Sequence, residues 1–255
     1  MNVIILAAGV GSRMKNLTKR KPKCFLKIDG VTLIERLVRQ LRKIGVKDIS
    51  IIVGYKAKSF SFKDVKYFYN KKYSSTNMFY SLMKAKKKMK KDTLIIYSDI
   101  ILSNKILKNM IKTKKEFAVG VDTNWKKYWI FRFKKINSDM ESLKINKKSH
   151  ITEIGRETKN LNDINARYIG IIKTSKKINK KIISVWKNEK NRNKPNWGIS
   201  GNSLNKAYMT DLINKIINTS KNKIKCHAIK FKNGWYEFDN QKDFFNFKNY
   251  NLKLQ

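Results

Sequence analysis

At 255 residues, with 41% apolar and 11% aromatic content, the chain can bury a sizeable core and is globular rather than disordered. Its net charge of +41 would suit nucleic acid or an anionic membrane surface, but 50 of the 59 basic residues are lysine, spread along the whole chain beside abundant asparagine, which points to compositional drift. Two cysteines exclude a disulfide framework, no apolar run reaches membrane-spanning length, and no signal peptide precedes the first strand pattern, so a cytoplasmic protein is expected.

Residues 3–6, Val-Ile-Ile-Leu, read as a buried parallel strand. The strand opens into Ala7-Ala8-Gly9-Val10-Gly11-Ser12-Arg13, with Lys21-Pro22-Lys23 beyond. Small residues let the backbone pass close to a ligand, and the cations suit a polyphosphate. The P-loop pattern is excluded because Ser12-Arg13, not Lys-Ser/Thr, follows Gly11, and the dinucleotide fingerprint is excluded because Met14 takes the place of its third glycine.

An amphipathic helix is expected over 33–44, stopped by Gly45, followed by a strand over 49–53 ending at Gly54-Tyr55. A third strand is expected over 65–69, a helix over 77–89, and a fourth strand over 94–97 closing at Ser98-Asp99. The second half reads as strands over 116–121, 128–133, 143–146, 150–154 and 167–174, a helix over 202–218, strands over 224–231 and 235–238, and a helix over 241–247.

The expected fold class is α/β: a Rossmann-like, mostly parallel mixed sheet flanked by helices, with a β-rich acceptor-facing insertion. No linker divides the chain, so one domain is expected over 1–255, its strand–helix alternation over 1–115 giving way to a strand-rich half over 116–255. Ligands of such sheets bind beyond the carboxyl ends of the strands, where Gly9, Gly54 and Asp99 lie. His150 and His227 are isolated and lack metal-ligand spacing.

The string Leu6-Ala7-Ala8-Gly9-Val10-Gly11-Ser12-Arg13-Met14 with Lys21-Pro22-Lys23 resembles the signature of the nucleotidyltransferase family, which joins a nucleoside monophosphate to a phosphorylated small molecule. The resemblance implies that Leu6, Ala7, Ala8, Gly9, Gly11 and Ser12 wrap a nucleoside triphosphate, with Gly54 and Tyr55 nearby. It implies that Arg13 and Lys23 are catalytic, stabilising charge as pyrophosphate leaves. It also assigns Mg²⁺ to Asp99 and Asp239, 140 positions apart, the alternative being that either aspartate merely caps the next helix.

Tyr73-Ser74-Ser75-Thr76-Asn77-Met78-Phe79-Tyr80-Ser81-Leu82 resembles a stretch of the phosphocholine cytidylyltransferase branch, implying CTP as the nucleotide, with Asn77 and Ser81 near it; Asn77 also suits a helix N-cap. Val121-Asp122, Trp125, Trp129, Arg132 and Ala166-Arg167-Tyr168-Ile169-Gly170 resemble the phosphonate-using relatives. Asp122, Trp125, Arg132, Arg167, Tyr168, Lys173 and Trp235 are therefore candidates for the acceptor, a small phosphate or phosphonate such as phosphocholine, 2-aminoethylphosphonate or an amino-acid-derived phosphate. The aromatics would equally form core.

Three alternatives are weighed. A sugar-1-phosphate nucleotidyltransferase using UTP or dTTP would typically carry a second proline after Lys23 and Gly-Asp at the metal strand, where this chain has Cys24-Phe25-Leu26 and Ser98-Asp99. A nucleic-acid-binding protein lacks support from any basic arm or motif. A catalytically silent relative is disfavoured by the presence of Arg13, Lys23, Asp99 and Asp239. The sequence leaves the oligomeric state open.

Overall fold

The computed structural model describes residues 1–191, 195–219 and 224–250. Successive residues of the first strand, β1 (Asn2–Ala7), enter two different cores: Val3, Ile5 and Ala7 join one cluster, Ile4 and Leu6 the other. A strand alternates its side chains across the sheet, so a continuous apolar run means that both faces are covered.

The chain continues through the small hairpin of β2 (Lys27–Ile28) and β3 (Val31–Thr32), then α1 (Leu33–Lys43), β4 (Ile49–Val53), β5 (Val65–Tyr69), α2 (Met78–Lys84), β6 (Thr93–Tyr97) and β7 (Ile100–Leu102). Next come α3 (Asn104–Lys112), β8 (Phe117–Asp122), α4 (Trp125–Phe133), β9 (Glu141–Ile145), β10 (His150–Glu157), β11 (Arg167–Thr174) and α5 (Lys176–Glu189). The last elements are α6 (Met209–Thr219), β12 (Cys226–Phe231), β13 (Trp235–Glu237) and α7 (Gln241–Asn246).

Nine strands form one mixed sheet in the order β5-β4-β1-β6-β11-β8-β12-β10-β9. β1 runs parallel to β4 and β6, β4 to β5, and β8 to β12; β11 is antiparallel to both β6 and β8. The carboxyl ends of β1, β4, β6, β8 and β12 therefore share one edge, and β11 begins there. α1 and α3 pack on one face; α2, α5 and α6 pack on the other. Residues 116–174 extend the sheet itself, since β8 and β11 are internal to it.

Four local expectations are corrected. Residues 128–133 are helical within α4: Trp125, Tyr128, Trp129 and Arg132 are buried at helical spacing, a period that the aromatic-rich composition disguises. The helix expected over 77–89 stops at Lys84, and residues 86–88 form a separate 3₁₀ turn. The helix expected over 202–218 begins only at Met209, because buried Asp211 winds the preceding chain around itself: its carboxylate accepts from the N–H groups of Ser200 (2.9 Å) and Tyr208 (2.8 Å). That winding sends the carbonyls of Asn205 and Ala207 to the free N–H groups of Asn77 and Phe79 at the start of α2. Finally, α3 and α5, capped by Ser103 and Ser175, fill stretches in which no element was expected.

Candidate active site

A cleft of about 200 Å³ opens at the carboxyl edge of β1 and β6, lined by residues of the 6–13 loop, Lys23, Thr76, Asn77, Ser81, Tyr97, Asp99 and Asp239. The loop owes its course to Gly11. Gly11 has φ +69°, and a Cβ there would meet the Cβ of Lys23 at 2.9 Å, so Gly11 lets Lys23 lie against the loop. At Gly9 a Cβ would meet nothing within 4 Å, so the backbone there borders open space in the cleft. The loop is braced from below: the Tyr55 N–H donates to the Ala8 carbonyl at 3.0 Å, and the Thr18 hydroxyl to the Gly11 carbonyl at 3.0 Å.

The small ribbon of β7 and β13 solves the separation of the two aspartates. Asp99 immediately precedes β7, Asp239 closely follows β13, and antiparallel pairing sets Glu237 opposite Ile100. The Phe238 N–H then donates to the Asp99 carbonyl at 2.9 Å. Both carboxylates converge on one ammonium: Lys23 Nζ lies 2.5 Å from Asp99 and 3.8 Å from Asp239, while Arg13 reaches Asp239 at 2.5 Å. Burial works against the charge on Lys23, but Asp99, Asp239 and Glu237 outweigh it and raise the lysine's pKa. Burial pushes the Asp239 carboxyl up despite Lys23 and Arg13. Burial and repulsion from Asp99 and Asp239 push Glu237 up to about 7, against the pull of Arg132.

The ammonium between Asp99 and Asp239 is a stand-in cation, showing that the pair holds positive charge at a shared point. Among the described residues no group of three or more His, Cys, Asp and Glu converges as a metal cage. Two hard oxygen ligands beside an open cleft are nevertheless what Mg²⁺ uses, because it keeps water and substrate oxygens for the rest of its shell. The residues fit the ion.

Residues 3–148 match the MobA-like NTP transferase domain. The chain belongs to the MobA-like NTP transferase family. It is 31% identical to the CTP:phosphoglutamine cytidylyltransferase of Campylobacter jejuni, over 95% of this chain and 97% of that one. It is 34% identical to the choline-phosphate cytidylyltransferase of Streptococcus pneumoniae, over 47% of this chain and 53% of that one. The solved CTP:phosphocholine cytidylyltransferase of Streptococcus pneumoniae shares the fold, with TM-score 0.71 and 21% identity over 97% of both chains.

In this nucleotidyltransferase Leu6, Ala7, Ala8, Gly9, Gly11, Ser12, Arg13, Lys23, Asn77, Ser81, Asp99 and Asp239 all line one cleft. Gly54 and Tyr55 do not. A Cβ on Gly54 would meet Tyr73 Cβ at 2.6 Å and the Ala8 carbonyl at 2.7 Å, and the Tyr55 hydroxyl donates to the Lys19 carbonyl at 2.7 Å. Both support the loop from behind. Asn77 caps α2, accepting from the Met78 N–H at 2.8 Å, while it lines the cleft.

The expected acceptor residues separate from the cleft. Buried Asp122 accepts from the N–H groups of Asn124 (2.8 Å) and Asn233 (3.1 Å) and from Trp235 Nε1 (2.9 Å), which is a loop-bracing role. Trp125 and Trp235 are core. Arg132 is committed to Asp243 and Glu237. Arg167 stacks 3.7 Å over Trp129 and donates to the carbonyls of Asp139 and Glu141, and burial pushes it down to about 10. Lys173 pairs in register with Leu94, at the opposite end of the sheet, and donates to the Thr113 carbonyl, so it cannot grip an acceptor. Tyr168 comes nearest, meeting the cleft-lining Tyr97 edge to face at 5.5 Å.

Sequence reading missed Asn70, a buried hub whose amide donates to Thr76 (3.0 Å) and Ser81 (2.9 Å) and whose carbonyl oxygen accepts from the Lys72 N–H (3.1 Å). Its only signal was a polar residue at the end of a strand. Cys24 also lines the cleft, but burial pushes its thiol up, which leaves it unreactive.

Proposed function

We propose that the chain is a CTP-dependent cytidylyltransferase that transfers CMP to a small phosphate-bearing acceptor and releases pyrophosphate, with a phosphorylated amino acid of the phosphoglutamine kind as the favoured acceptor. The observation that carries this reading is the end-to-end sequence identity with a CTP:phosphoglutamine cytidylyltransferase, against choline-phosphate sequence identity confined to about half of each chain.

In this reading the triphosphate lies along the 6–13 loop. Lys23 and Arg13 leave their aspartates to neutralise phosphate oxygens, which frees Asp99 and Asp239 to hold Mg²⁺. When bound, that ion neutralises charge on the triphosphate. An acceptor phosphate oxygen attacks the α-phosphorus in line, the new P–O bond forming as the bond to the β-phosphate breaks. The acceptor oxygen is already anionic, so no general base is required, in keeping with a cleft that contains no histidine. Among the described residues no helix is long and apolar enough to cross a membrane. Two buried free cysteines suit a reducing cytoplasm.

The test is pyrophosphate release with Mg²⁺ and CTP against phosphoglutamine, phosphocholine, 2-aminoethylphosphonate and glucose 1-phosphate, with UTP and dTTP in parallel. Turnover is expected with CTP and fastest with phosphoglutamine. Faster turnover of glucose 1-phosphate with UTP or dTTP would overturn the reading.

A further inference from the structure

Asp239 stands on a turn between β13 and α7, with no strand or helix of its own to hold it. Its backbone N–H donates to Asp243 Oδ2 at 3.0 Å, and the next N–H, of Asn240, donates to the same oxygen at 2.9 Å. The Asn240 side chain accepts in return from the Asp243 N–H at 3.2 Å, closing a reciprocal cap on α7. Caps of this kind usually sit in water. Here Asp243 is 1% exposed, and its charge is met from another part of the chain.

Arg132 of α4 donates to both Asp243 oxygens, Nε to Oδ1 at 2.8 Å and Nη2 to Oδ2 at 2.7 Å. Its remaining arm, Nη1, donates to Glu237 at 2.9 Å. One guanidinium thus braces the chain on both sides of Asp239. It is locked in turn by the rings of Tyr128, Trp129 and Phe133, whose centroids lie 5.6, 5.3 and 4.8 Å away. The Tyr128 hydroxyl accepts from the Glu237 N–H at 2.9 Å, fixing the same turn. A buried ion pair adds little net stability over an apolar pair of similar volume, so stability alone does not account for one at this position. Orientation does, because groups behind a ligand set its direction.

We infer that the Arg132–Asp243 pair is a positioning device that turns the Asp239 carboxylate toward Asp99 and so sets the affinity of the cleft for a divalent cation. The inference rests on the reading of Asp99 and Asp239 as cation ligands. It gives Arg132 a role through Asp239 rather than through the acceptor. Lysine cannot replace it, since an ammonium does not make two parallel bonds to one carboxylate.

The test is Mn²⁺ affinity of the whole protein, read from the electron paramagnetic resonance signal of free Mn²⁺, for wild type, Arg132→Lys, Asp243→Asn and Asp239→Asn. Melting temperatures and metal-free CTP affinity are measured alongside. Arg132→Lys and Asp243→Asn are expected to weaken Mn²⁺ binding by about 10- to 100-fold while CTP affinity without metal is unchanged. Asn240→Ala, which keeps the ion pair and removes only the reciprocal cap, is expected to weaken Mn²⁺ binding less, and it serves where either core variant fails to fold. Loss of Mn²⁺ binding in Asp239→Asn with wild-type binding in the folded positioning variants would overturn the inference and leave the metal reading standing. Wild-type Mn²⁺ binding in Asp239→Asn would overturn both.

Discussion

Lys23 and Arg13 hold Asp99 and Asp239 at 2.5 Å each, and in the proposed reaction a triphosphate would need the same two cations. Nucleotide and divalent cation should therefore bind cooperatively, the nucleotide drawing Lys23 away from the carboxylates that the metal needs. Lys23→Met is expected to lower kcat/KM for CTP by about 100-fold, the loss typical of one preorganised donor to the reacting group. The same variant should bind Mn²⁺ more tightly than wild type without nucleotide, and its melting temperature should rise more on adding Mg²⁺. Unchanged or weaker Mn²⁺ binding would show that Lys23 does not compete for the site. Residues of the loop were legible in the sequence because the glycines and the cations that use them are close along the chain. Arg132 and Asp122 were not, because the partners that fix their roles, Asp243 and Trp235, are more than a hundred positions away.

Elements whose pattern matched one period, such as β1, α1 and β11, were readable from the sequence. α4 was not, because Tyr128, Trp129, Phe131 and Phe133 favour strands by composition, while the residues that are buried, Trp125, Tyr128, Trp129 and Arg132, follow the helical turn. Of the β7–β13 ribbon only β13 was legible, as the strand expected over 235–238; β7 is too short to show alternation, and the pairing that brings Asp99 to Asp239 spans more than a hundred positions. The outer strands are tied by a different device. Asp163 accepts from Lys144 of β9 (3.0 Å), Arg156 of β10 (3.0 Å) and the Thr158 hydroxyl (3.0 Å). These bonds, Lys144 first, pull its carboxyl down to about 2 from 3.8. A depressed carboxyl stabilises the fold above its unfolded pKa and loses that contribution as the pH falls toward the folded value. Asp163→Asn should therefore be less stable than wild type in urea at pH 7, and the difference should shrink as the pH falls from about 4 to about 2. A difference that stays constant over that window would mean that the ion pairs contribute nothing.

At the scale of the whole molecule the net charge of +41 has one consequence that does not depend on any single lysine. A basic field concentrates anions near the surface and speeds their arrival, and salt screens it over a Debye length of about 10 Å at 0.1 M. CTP and a phosphate acceptor are both anions, so kcat/KM should fall several-fold between about 10 and 150 mM salt while kcat stays level. The contribution of remote charge can be separated from that of Lys23 and Arg13. Lys86, Lys87 and Lys90 are exposed at the end of α2 opposite to Asn77. Replacing all three by glutamine should flatten the salt dependence of kcat/KM and leave kcat and the melting temperature close to wild type. A salt dependence that is unchanged in this triple variant would assign steering to the cleft cations alone and make the lysine excess electrostatically silent. A steep power-law loss of duplex DNA binding over the same salt range would instead show that the field serves a nucleic acid.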